Sequence, residues 1–376
     1  MIDLIGLFGI RLQLLIGPDV PRPAPYEAME ALISLQVTNK DRERDGFQMD
    51  FTLGKDSRLE YGLLRRGELE VGNRVIIVVS FGVLPQVLID GIIRKHQVLP
   101  SNEPGRSTLH VTGEDISVKL DLEEQNATHV HQSDSSIVKT MLTNAGFVPQ
   151  VEETSDTPSD KERITTQQCS NLKFIRKLAQ RNGFIFYVEP TNIPGANRAY
   201  WGKENRQGPS QQPALTMNMG PMTNVDKPIH FSYDALGPAE PEVTIIDPRT
   251  KLTITIPNPS GFLPALTSQP ARALRKTKSR DTANLSYAQA LLKTFSGARE
   301  SSDAIQATGE VDVVRYGRAL RSRQKVEVRG AGQSYDGTYY VTKVVHNITR
   351  FPTGAYKQSF TLKRDGRGAL GNSVTI

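Results

Sequence analysis

The side chains that could carry chemistry are few and scattered. Six histidines stand at positions 96, 110, 129, 131, 230 and 346. His129-Val-His131 could offer two imidazoles from one strand face, with Asp134 nearby, but two imidazoles and a carboxylate without a further signature make a weak metal motif. His96 and His346 fall at matching places in two similar segments, which favours packing or strand-end hydrogen bonding, since one active site has no use for a matched pair. Ser334, in Gly332-Gln-Ser-Tyr-Asp-Gly337, misses the GxSxG elbow by one residue and falls in a hairpin. No GxxxxGK[ST] phosphate loop is present, and Gly330-Ala-Gly332 lacks the third glycine and the helix of a dinucleotide site. The carboxylates are too numerous to single out a glycosidase pair. Enzymatic function has no positive support, and neither a cofactor nor a metal is expected.

Two basic clusters remain. Arg272, Arg275, Lys276, Lys278 and Arg280 form one; Arg315, Arg318, Arg321, Arg323 and Lys325 form the other. They could contact phosphates, yet few aromatic residues are interleaved as stacking platforms. A solvated or intersubunit face is the favoured reading. The net charge of +6 and pI of 9.2 permit an anionic partner without demanding one. A single cysteine, Cys169, excludes an intrachain disulfide, and no CxxC pair points to zinc. Asp3 stands where a secretion signal needs positive charge, and no apolar run approaches a membrane span, so synthesis in a reducing cytoplasm without a signal peptide is expected.

The elements that would position these residues are mostly strands. Lys325–Arg329 alternates apolar and charged residues, Gly330, Gly332 and the Tyr335-Asp336-Gly337 turn interrupt it, and Thr338–His346, including Tyr339, is rich in β-branched and aromatic residues. Pro352 and Gly354 supply the next reversal, and Tyr356–Arg364 alternates again. The layout recurs in Arg74–Val79, Gln86–His96 and Gly105–Asp115: Val75 to His96 spans 21 residues and Val326 to His346 spans 20. The spacing predicts one small β-barrel written twice. Ala31–Val37 and Gly46–Leu53 extend the first copy across the charged tip Lys40–Asp45, which reads as a solvated turn.

Between the copies lies a helical repeat. Ser133–Phe147 and Ser170–Phe184 match at an offset of 37, each opening on a capping residue and ending at a glycine suited to the left-handed conformation. A strand is expected after the second glycine, and Thr191–Pro213 reads as a linker with one anchored aromatic, Trp201, the only tryptophan. Asp281 is expected to cap a helix whose Leu285, Ala288, Leu291, Leu292 and Phe295 recur at helical spacing. The fold class is therefore α+β, mainly β: a first tube-like barrel over 1–122, an α+β insertion over 123–212, and a second tube-like barrel over 213–376 with a helix and loops inserted around 257–300.

With these residues in place the chain resembles the phage late control D family, the central hub proteins of contractile phage tails, and the N-terminal hub part of the VgrG spike of type VI secretion. The likeness is carried by Gln168–Tyr187, by Gly309-Glu-Val with Leu320 and Val326–Gly332, and by Tyr335–His346 closing at Tyr356–Arg364. It implies a structural baseplate hub of a phage tail, tailocin or injection system: a homotrimer whose doubled barrels adapt a sixfold inner tube to a threefold spike, with baseplate wedge proteins outside and cargo passing through the lumen. The barrel signature would be Gly330, Gly332, Tyr335, Gly337, Tyr339, His96 and His346. VgrG chains continue into a spike, whereas this sequence stops at Arg367–Ile376, so the spike is expected as a separate chain. The competing classes are a basic β-barrel that binds nucleic acid and a tail-associated cell-wall hydrolase.

Overall fold

The computed structural model describes residues 2–5, 10–54, 60–82, 84–103, 105–157, 164–206, 210, 212–247, 250–257, 264–279, 282, 285–349 and 354–370. The chain is α+β and mainly β. Its first part contains β1 (Ile2–Ile5), β2 (Ile10–Gly17), β3 (Arg22–Pro23), α1 (Tyr26–Ala31), β4 (Leu32–Lys40), β5 (Gly46–Leu53), α2 (Gly62–Arg65), β6 (Arg74–Phe81), β7 (Leu84–Leu99) and β8 (Ser107–Asp115). These strands obey the two-residue period. β2 buries Ile10, Leu12, Leu14 and Ile16, and β5 buries Phe47, Met49, Phe51 and Leu53, in one apolar core.

A 3-10 turn at Ile116–Asp121 leads to β9 (Glu124–His129), α3 (Asp134–Asn144), β10 (Val148–Val151), β11 (Thr165–Ser170), α4 (Asn171–Arg181), β12 (Ile185–Pro190) and β13 (Asn197–Gly202). The helical repeat is present as the sequence predicts. Ser133 and Ser170 accept the backbone N–H of Ser136 and Lys173, and Gly146 and Gly183 take φ of +80° and +65°. Gly183 is doubly constrained, because a Cβ there would lie 2.6 Å from the Leu292 carbonyl oxygen. Thr191–Pro213 departs from the linker reading. Trp201 is fully buried on β13, packed edge-on against Phe184 at 4.8 Å, and its indole N–H donates to the Ile175 carbonyl at 3.3 Å. Gly and Pro around the strand mask it in the sequence.

The remainder contains β14 (Leu215–Thr216), β15 (Val225–Tyr233), β16 (Ala239–Ile246), β17 (Thr253–Ile256), β18 (Thr267–Pro270), β19 (Arg275–Lys278), α5 (Tyr287–Glu300), β20 (Ile305–Asp312), α6 (Val313–Tyr316), β21 (Lys325–Arg329), β22 (Gly337–Thr349), β23 (Ala355–Arg364) and β24 (Gly366–Ala369). The cap of α5 is Ser286, which shares a capping box with Gln289, and the expected cap Asp281 lies outside the described residues. The helix buries Gln289, Ala290, Thr294 and Ala298, so the expected Leu and Phe stripe is only half-buried or exposed. Leu285 and Leu291 pack half-buried against the small core of Val243, Ile245, Ile256 and Ala290, and Leu292 packs half-buried on the insertion core. Among the described residues no helix is long and apolar enough to cross a membrane.

The duplication takes a form the sequence did not specify. One 14-stranded sheet runs β1-β2-β6-β7-β8-β5-β4-β22-β23-β20-β15, with β21 joined to β22 and β14 to β21. Its two halves share an order: β6-β7-β8-β5-β4 in one and β21-β22-β23-β20-β15 in the other. Details recur with the order. β7 bulges between Ile93 and Lys95 against β8, and β22 between Val341 and Lys343 against β23. Ile93 exchanges backbone bonds with Gly72 and Asn73, and Val341 with Arg323 and Gln324. Gly72 and Arg323 both have positive φ, +95° and +62°. The two closed barrels expected from the sequence are corrected by the sheet, which is open among the described residues. Closure fails because the edge of β22 beyond its bulge is occupied by β4, a strand of the other repeat.

Candidate assembly surface

The seam between the repeats joins two strands that the sequence identified and draws in charged residues that it left in solvent. β4 and β22 pair antiparallel from Lys40↔Lys343 to Ser34↔Thr349. Asp45, in the tip read as a solvated turn, is 1% exposed. It accepts two bonds from the Arg323 guanidinium, at 2.8 and 3.1 Å, and others from the Lys40 backbone and the Asn39 amide. Arg323 thereby leaves the second basic cluster; its guanidinium also stacks 4.3 Å over Tyr187. Nearby, Arg42 reaches Glu204 and Glu300, and buried Arg206 spans Glu204 and Asp303 while lying over the Tyr340 ring. Each charge is matched, as burial requires.

His346 occupies the centre of this seam. Its Nδ1 accepts from the Tyr356 hydroxyl at 2.6 Å and the Gln358 amide at 3.2 Å, and its Nε2–H donates to Asn39 Oδ1 at 3.0 Å. Gln358 is satisfied in turn by both backbone groups of Leu320. The ring must be neutral to make these bonds, and burial, aided by the positive Arg321, pushes its pKa down to about 3. His96 has a different setting. It is half-buried, with Nδ1 3.5 Å from the Leu69 carbonyl. The matching bulges set Lys95 level with Lys343, so the two histidines are two residues out of step.

The face of the sheet turned away from the apolar cores is a polar surface in register across both repeats. One row reads Lys95, Thr112, Gln48, Gln36, Asn347, Lys357 and Asp312. Gln36 donates to Asn347 across the seam at 2.9 Å. In the next row Asp50 accepts from Ser34 at 2.5 Å and meets His110 Nδ1 at 2.5 Å. Partial burial works against the Asp50 charge, but the bonds from Ser34, His110 and Gln48 hold its pKa below the ordinary value. The order is serine, carboxylate, histidine; the serine proton already points at a carboxylate, so this is a cross-strand ladder and not a nucleophile with its base.

The signature glycines and tyrosines converge on one turn. Gly330, Gly332 and Gly337 have φ of +83°, +90° and +123°, and a Cβ on Gly330 would approach the Met217 carbonyl oxygen to 1.8 Å. Tyr339 is buried and its hydroxyl donates to the Tyr335 carbonyl at 2.8 Å, while Tyr335 packs on Phe231 at 4.9 Å. The missed member is Arg364, which lies 4.5 Å over the Tyr339 ring and donates to the Asp336 and Ser334 carbonyls. Alternation on β23 would have marked it, since it falls on the buried side with Phe360 and Leu362. Arg272, Arg275, Lys276 and Lys278 are exposed, the last three on β19, and Arg280 lies outside the described residues. The histidine and carboxylate set near residue 130 is not assembled. Asp134 faces Arg181 and Asn182, while His129 stacks on Phe174 at 5.5 Å.

Several edges of the sheet stand open among the described residues, those of β1 and β14 included, and two of them lie at corresponding places in opposite repeats. β15 pairs only with β20. In β7, β8 takes one edge over Gly91–Leu99 and β6 takes the other only as far as Ile92, so no strand covers the outer edge of Lys95–Leu99.

Comparison with known proteins follows this geometry. A family model described as the Alg8 N-terminal domain matches residues 48–201, less than half of the chain. No curated protein matches. A tail protein from Neisseria meningitidis MC58 is 12% identical with a TM-score of 0.66, covering 95% of this chain and 97% of its own. The 43 kDa tail protein of prophage MuSo2 from Shewanella oneidensis is 11% identical, with a TM-score of 0.63 and coverage of 95% and 98%. An E. coli type VI secretion component, described as structurally similar to the bacteriophage T4 tail proteins gp27 and gp5, is 13% identical with a TM-score of 0.56, covering 89% and 73%. At these identities the likeness is one of fold: the chain folds as phage tail proteins and a type VI secretion component do.

Proposed function

We propose that the chain is a non-enzymatic baseplate hub of a contractile tail or type VI-like injection machine. Three copies form a ring in which each contributes two similar sheet units, six in all. The ring stacks on a sixfold inner tube at one face and carries a threefold spike at the other. The insertion between the repeats meets wedge proteins, and the polar sheet face lines the passage for cargo. The observation that carries this reading is the repeated strand order fused through the β4–β22 seam, in a fold shared with tail proteins over nearly the whole chain. A lining of Thr, Gln, Asn, Ser and Lys suits a passage that must not hold what moves through it, since it has little apolar area to bury. The chain would be made in the bacterial cytoplasm and become part of the tail or baseplate. The purified chain is expected to be a ring of three that retains the tube protein; a strict monomer indifferent to tube and spike overturns the reading.

A further inference from the structure

We propose that neighbouring copies join by strand addition, the open edge of β15 in one chain pairing antiparallel with the open edge of Lys95–Leu99 in β7 of the next. The inference rests on the ring reading and supplies its contact. Its template lies within the chain. β22 has a bulge, and beyond it one edge carries β23 while the other carries β4. β7 has the corresponding bulge and carries β8, with its other edge open among the described residues. β4 is the outer neighbour of β5 as β15 is of β20. Each repeat thus presents the same two surfaces, and only one pair of them meets inside the chain. The remaining pair lies at opposite repeats and belongs to different copies.

The internal register transfers directly. Setting Lys343 level with Lys95, and Val37 with Phe231 through their partners Phe47 and Ala307, turns Thr38↔Val345 into Ser232↔Gln97 and Lys40↔Lys343 into Asp234↔Lys95. Asp234, Ser232, Lys95 and Gln97 are all exposed, and the transferred register replaces a like-charge pair with an opposite one. Pro228 falls where β7 ends, so its missing N–H limits the pairing to the segment that has a partner. Internal and intermolecular seams would then alternate around a three-chain ring. Backbone pairing supplies the affinity, as in other strand additions.

The test uses the full chain with Cys169→Ser, so that introduced thiols are the only ones. Gln97→Cys with Ser232→Cys is expected to give disulfide-linked dimers and trimers under mild oxidation, whereas either substitution alone stays a monomer on a denaturing gel. Lys95→Asp or Asp234→Lys is expected to weaken association by about two- to fivefold, and the two together to restore it. Lys95 is exposed, so Lys95→Asp should leave thermal melting unchanged, whereas Asp234→Lys also gives up the 2.9 Å bond from the Leu236 N–H and should lower it slightly, a loss that Lys95→Asp does not restore. A three-chain ring showing neither the in-register disulfide nor the charge rescue overturns this contact and leaves the hub reading standing. A strict monomer overturns both.

Discussion

At the scale of residues, the seam depends on groups whose charge state is fixed by burial. Unfolded His346 takes a proton near the ordinary histidine value of about 6.5, whereas the folded ring, 2% exposed, resists until about 3. The folded value is depressed, so the stability that neutral His346 contributes is complete above pH ~6.5 and is lost as pH falls toward 3. Protonation also converts Nδ1 from acceptor to donor, facing the Gln358 amide. Urea melts should therefore show wild type losing on the order of 3 kcal/mol more than His346→Gln between pH 6.5 and 4. Equal losses would mean that the histidine titrates normally. Asp45→Ala leaves Arg323 buried without its carboxylate and should cost about 3–5 kcal/mol in the same assay. Little of this was legible beforehand. Lys40–Asp45 has the composition of a solvated turn and Arg323 that of a basic patch; only the fold brings them together across 278 residues. Arg323 also sits at a positive φ where the first repeat has Gly72, a conformation the ion pair holds in place.

At the scale of elements, local signals served well where they were sufficient. The two capped helices ending at left-handed glycines are as the sequence predicts, because cap, apolar stripe and terminator agree. Strand alternation likewise located β5, β21 and β23. One element was misread, and another was read only in part. β13 lies among Gly, Pro and Asn, so composition hides a strand whose Trp201 anchors the insertion core. α5 follows its apolar spacing in part: Leu285, Leu291 and Leu292 pack half-buried on neighbouring cores, whereas Ala288 and Phe295 are exposed. Trp201→Ala should remove about 3–5 kcal/mol of stability by leaving a cavity beside Phe184 and α4, measurable by chemical denaturation. A loss below about 1 kcal/mol would indicate that the insertion does not depend on this anchor.

At the scale of the whole molecule, duplication was visible as matched spacings, and its consequence was not. Period-2 patterning specifies strands and their faces but not which strand occupies an edge, so a closed barrel and a shared open sheet are indistinguishable in sequence. The answer lies in long β7 and β22, whose bulges release an edge half-way along. One released edge is filled by the sister repeat, and the other has no strand beside it among the described residues. On the proposed ring reading that edge is met by a copy of the chain, and the fold matches that of phage tail proteins. The most direct test is the solution mass of the purified chain, by light scattering at micromolar concentration, combined with averaged particle images. The account predicts a species of three 41.6 kDa chains, ring-shaped, with six similar units about its axis. A single-chain mass at every concentration, with or without tube protein, would contradict it.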